Sequence, residues 1–220
     1  MIRGFIHRYL DPVDSLLEIL FGLIMSLTLT VGARLLLRRD ELSAPDLVAG
    51  LAGCNLAWGL IDAVFYLLGA RLSRNIRARF VRRLQATRDD AYALALIDRE
   101  FDVDPTLLRD EADRAAVRRA LLDALRHANA SRVGIGVDDC VGAAIICLLV
   151  AATALPAIVS LLLVDDTTLA LRLANAAQTL LLFLVGYAWA QHAGANRWTT
   201  GATIASLAVG LVLVAVALGG

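Results

Sequence analysis

The chain has 220 residues, 59% of them hydrophobic, and a mean hydropathy of +0.68. That composition excludes an ordinary soluble domain and points to a protein built inside a membrane. Its 21 basic residues, all arginine, balance 21 acidic ones, so no global footprint for nucleic acid is present.

Residues 1–12 carry Arg3, His7 and Arg8 before Asp11-Pro12 and read as a short amphipathic lead-in at a membrane surface. The first long apolar run extends from Val13 to about Leu37. Val31-Gly32-Ala33 resembles a signal-peptide cleavage site, but the run is longer than a signal core and contains Glu18. It is therefore expected to be the first membrane helix, with Arg34, Arg38 and Arg39 anchoring its far end. Asp14, Glu18, Gly22 and Met25 follow in steps of four, four and three and share one face. Gly22 admits a close helix neighbour, here expected to be helix 1 of a second copy. Carboxylate oxygen and thioether sulfur on one face suit a borderline-to-soft divalent ion better than magnesium or calcium. Thr28 and Thr30 are placed to bond back to carbonyls of the preceding turn.

A polar turn over 38–46 follows, where Ser43 or Asp46 can cap the next helix with Pro45 in its first turn. The second span runs from about Leu47 to Ala70 and holds Asn55 and Asp62. Seven residues, about two turns, separate these two, so they share a face, with Trp58 and Gly59 between them. A carboxylate at mid-membrane depth costs roughly 2.5–3.5 kcal/mol on insertion scales, so it must face protein, water or an ion. A polar clamp between helices is the structural alternative to an ion site.

Seven arginines then fall between Arg71 and Arg88, with Leu72, Ile76, Phe80 and Leu84 repeating every four residues. This predicts an amphipathic helix continuing out of the second span, anchored near anionic lipids. A short acidic helix is expected over 89–103, and a further helix from an Asp104 cap to about Ala128. The acids from Asp102 to Asp113 do not make a calcium loop, because Leu107 stands where glycine is required and Asp113 where glutamate is. They are read as solvated faces and arginine partners. Asn129 to Gly136 is a linker.

Three more apolar runs complete the chain, from about Asp139 to Val164 with a kink at Pro156, Leu169 to Gln191, and Thr200 to Leu218. Arg172, Asn175 and Gln178 are expected to bond to a neighbouring helix or a headgroup, and Gly201 with Ala205 to form a close helix contact. Cys54, Cys140 and Cys147 are odd in number, which argues against a disulfide framework and reads them as small buried hydrophobes. The fold class expected is an all-α membrane protein of five spans, with a helical insert between the second and third. The segments are 1–70, 71–137 and 138–220. Arginine after the second span places the insert in the cytoplasm and Gly220 outside; the arginines of the first turn run against that bias and are outweighed.

Glu18-Ile-Leu-Phe-Gly-Leu-Ile-Met25 and Gly53-Cys-Asn-Leu-Ala-Trp-Gly-Leu-Ile-Asp62, in this five-span order, resemble the vacuolar iron transporter family, in particular its small bacterial members. The resemblance implies a homodimer in a bacterial cytoplasmic membrane that moves ferrous, manganous or a similar divalent ion out of the cytoplasm against protons. It implies Glu18, Met25, Asn55 and Asp62 as metal ligands on the ion path, with the ion as substrate and no permanently bound cofactor. Better-studied members have an insert rich in glutamate; only Glu100 and Glu111 stand in this one, which argues against a metal store there. The rival reading is a non-transporting membrane scaffold or sensor whose arginine-rich insert recruits partners or lipid. An enzyme is not expected: His7, His127 and His192 are scattered and form no triad or metal-binding pair.

Overall fold

The computed structural model describes residues 9–36, 43–101, 110–130 and 134–218. Among them every regular element is an α-helix: α1 Pro12–Leu36, α2 Ala44–Ala86, α3 Asp90–Glu100, α4 Glu111–Arg126, α5 Val137–Ala152, α6 Leu155–Leu163, α7 Thr167–Ala193 and α8 Arg197–Ala217. Among the described residues five stretches are long and apolar enough to cross a membrane: Pro12–Arg34, Ala44–Ala86, Val137–Leu163, Thr167–Ala193 and Arg197–Ala217. Helix is the expected answer for such runs, because hydrocarbon offers the backbone no other hydrogen-bond partner. The chain divides into two compact units, one of Met1–Leu67 with Gly136–Gly220, the other of Leu68–Ile135.

In the first unit α1 is the hub. Leu20, Leu23 and Leu27 pack with Leu182 of α7 and with Ala208, Val212 and Val216 of α8. A buried polar set pins α1 to α7: Gln178 Nε2 donates to Ser26 Oγ at 2.5 Å, and Thr30 Oγ1 to Gln178 Oε1 at 3.2 Å. Thr28 and Thr30 also bond back to Ile24 and Ser26 carbonyls at 2.8 and 3.1 Å, as their positions predict. Asn196 caps α8 by accepting from the Trp198 and Thr199 amides. Glycine then sets the spacing of α7 and α8. A Cβ on Gly186 would stand 2.9 Å from Ile204 Cβ and 3.0 Å from Gly201 Cα, so only a bare backbone fits. Gly201 is thus the close contact expected from its pattern.

The third span is broken where Pro156 stands. Pro156 has no N–H to continue the ladder, and α5 ends at Ala152 before α6 resumes at Leu155. Thr153, between them, closes a short turn by donating its amide to the Val150 carbonyl at 3.1 Å.

The second unit has a core of its own. Leu84, Ala93, Ile97 and Leu122 are buried together, flanked by Phe80, Leu121 and Leu125. Arg118 of α4 reaches Asp98 at 3.1 Å and also pairs with Glu111, and Arg126 reaches Asp90 at 2.6 Å. Glu111 is therefore an arginine partner, as expected, and Asp90 and Asp98 are arginine partners as well. One boundary differs. Asp110, in extended conformation, accepts from the Ala112 amide and starts α4 at Glu111, so no helix runs unbroken from an Asp104 cap. Asp104 itself lies outside the described residues, as do residues 1–8, Arg38 and Arg39.

Candidate functional site

α1 and α2 meet as antiparallel helices along a seam. At one level the side chains of Glu18 and Asp62 come close enough to interact directly. Both residues are half-buried, and Glu18 Oε2 and Asp62 Oδ2 are buried without a hydrogen-bond partner. Asp14, one turn back on α1, is a further carboxyl group in range of Glu18. Among the described residues no group of three or more His, Cys, Asp or Glu converges as a ready metal cage. What the protein supplies here is a carboxyl pair with free lone pairs. Two carboxylates so close repel, and a contact between them needs a cation or a proton to hold it.

About two turns along, Asn55 is fully buried and does different work. Its Nδ2 donates to Thr153 Oγ1 at 2.8 Å, to the Val150 carbonyl at 3.3 Å and to the Gly22 carbonyl at 3.4 Å. Thr153 Oγ1 in turn donates to the Val150 carbonyl at 2.6 Å. Asn55 thereby ties α1, α2 and the break of the third span at one junction. Two glycines make it possible. A Cβ on Gly22 would overlap the Thr153 side chain, and one on Gly59 would stand 2.7 Å from the Cys147 carbonyl. Gly22 is thus packed against Thr153 of the same chain. The face shared by Asn55 and Asp62 is likewise lined by Gly59, whereas Trp58 turns outward and is exposed.

Met25 does not meet the carboxyl pair. It is half-buried, and the Cys54 thiol lies 3.7 Å from its Sδ. Cys54 and Cys140 are exposed rather than buried as expected; Cys147 is intermediate. Of the four residues singled out from the sequence, the fold thus pairs Glu18 with Asp62, gives Met25 to Cys54, and commits the amide nitrogen of Asn55 to the helix junction. Asn55 Oδ1 remains buried without a partner. Cys54 and Thr153 are the participants that sequence patterns did not mark. Cys54 shares its helix with Asn55 but points from a different face, and Thr153 enters only because the third span breaks beside it.

The fold and this seam define an all-helical chain with five helices able to cross a membrane and a carboxyl pair set between the first two. No protein-family model, curated protein or solved structure matches the chain.

Proposed function

We propose that this chain is a transporter of divalent metal cations, of the vacuolar iron transporter type, moving ferrous or manganous ions out of the cytoplasm in exchange for protons. The observation that carries the reading is the Glu18–Asp62 pair with its two unpartnered buried oxygens. Two negative charges about 4 Å apart repel by about 4 kcal/mol at an effective dielectric of 20. A divalent ion neutralises both at once, and protons restore neutrality after it leaves. The same two groups therefore alternate between metal and proton, which is what coupled exchange requires. Carboxylate oxygens suit manganese(II), and a carboxylate also enters iron(II) sites that keep open positions. We assign Asn55 to holding the seam at the right spacing rather than to the ion. In this reading the second unit, rich in exposed arginine, lies in the cytoplasm by the positive-inside rule, and the transporter works as a homodimer.

The test is metal flux into liposomes across Fe(II), Mn(II), Co(II), Zn(II) and Mg(II). Glu18→Gln and Asp62→Asn should each abolish flux and leave the fold intact, since each replaces the repulsion of two carboxylates by a contact that an amide N–H can make to the remaining one. Normal flux in a well-folded double variant would overturn the reading. Orientation is checked separately with a cysteine placed at the exposed Ser73 in a cysteine-free background. An impermeant maleimide should leave it unlabelled on intact cells, and labelling would reverse the topology.

A further inference from the structure

The same two helices bring the chain's soft donors together at a second level. Met25 is seven residues beyond Glu18 on α1, and Cys54 is eight residues before Asp62 on α2, a separation of about 10–12 Å along the seam. The Cys54 Sγ and Met25 Sδ atoms are 3.7 Å apart. A thiol–thioether hydrogen bond is weak, so it contributes little to the choice of these two side chains. As a ligand pair the spacing is apt: two sulfurs each about 2.3 Å from one tetrahedral ion stand about 3.8 Å apart. Cys54 is exposed and Met25 half-buried, so no side chain of this chain closes over the outer side of the pair.

We propose that Met25 and Cys54 form a separate metal position for a soft monovalent cation of the cuprous kind. Donor chemistry and charge both select it. Thiolate and thioether sulfur favour copper(I) over hard ions. On binding, the Cys54 S–H bond breaks, its proton leaves to solvent or buffer, and a sulfur–metal bond forms without any change of oxidation state. One thiolate and one monovalent ion then sum to zero charge, which an apolar span accepts. A divalent ion held by the same two sulfurs would leave a net positive charge within apolar helices, where charge is costly. The carboxyl pair has the opposite preference, since two negative charges match a divalent ion. The sulfur position does not rest on the transport reading, because binding alone defines it.

The experiment uses the full chain, purified in detergent under anaerobic reducing conditions. Copper(I) is titrated in competition with a chromophoric copper(I) chelator. One ion should bind per chain, and neither Glu18→Gln nor excess Mn(II) should displace it. Cys54→Ser and Met25→Leu should each weaken binding by about 10-fold or more, while Cys140→Ser and Cys147→Ser should change nothing. Because a variant can fail to fold, protection is read on a second chain that keeps Cys54 as its only thiol. There, copper(I) should slow maleimide alkylation of Cys54. Wild-type affinity in Cys54→Ser, wild-type affinity in Met25→Leu, or no protection of Cys54 would each overturn the proposal.

Discussion

Replacing Asn55 by alanine separates a clamp from a ligand, because the two roles give opposite results. Its two amide hydrogens are shared among three acceptors, at 2.8, 3.3 and 3.4 Å. Only the shortest, to Thr153, has ordinary length. Hydrogen bonds between membrane helices average about 0.6 kcal/mol and reach about 1.7. One strong and one average bond therefore sum to about 2 kcal/mol. The acceptors are not stranded, since Thr153 Oγ1 keeps its 2.6 Å bond to the Val150 carbonyl. Asn55→Ala should then lower stability by about 2 kcal/mol, measured by reversible unfolding in mixed micelles of mild detergent and dodecyl sulfate. Metal flux per folded molecule, read well below the unfolding transition, should stay near the wild-type value. Unchanged stability together with lost flux would refute this reasoning and make Asn55 Oδ1 an ion ligand.

The glycines divide sharply. Gly186→Ala should destabilise the chain by about 1–3 kcal/mol, because its new Cβ presses on the Gly201 backbone. Gly53→Ala, with nothing within 4 Å of the added Cβ, should be neutral or stabilising by up to about 1 kcal/mol. The same unfolding assay checks both. In the second unit, Leu84 has 0% of its surface exposed. Leu84→Ala should cost that unit about 2–5 kcal/mol, seen as faster proteolysis between Leu68 and Ile135 with the membrane helices unaffected. Equal protection in variant and parent would show that the core around Leu84 does not hold the unit.

The five spans were legible because their signal is absolute. A run of twenty or more apolar residues has one stable form in hydrocarbon, whatever its neighbours. The break at Pro156 follows from a missing N–H, and the back-bonds of Thr28 and Thr30 from a helical offset of four; both are local and were readable in one dimension. An arginine partner for Glu111 was likewise expected, though not which arginine it would be; the pairs made by Asp90 and Asp98 came only with the fold. The pairing of Glu18 with Asp62 was legible only in part: each stood out as a charge in an apolar run, but their contact belongs to the packing of α1 on α2.

Tertiary structure alone decided where each face points. Periodicity placed Asp14, Glu18, Gly22 and Met25 together, yet Gly22 meets Thr153 inside the chain, Glu18 meets Asp62, and Met25 meets Cys54. In water a helix declares its buried side by being apolar there. In a membrane the outward side chains, such as Leu60 and Phe65, are as apolar as the buried Leu23 and Leu182, so that contrast vanishes. Sequence then tells which residues share a face, but not which helix the face will meet. That choice rests on small residues and short polar contacts, and these acquire partners only when the helices pack.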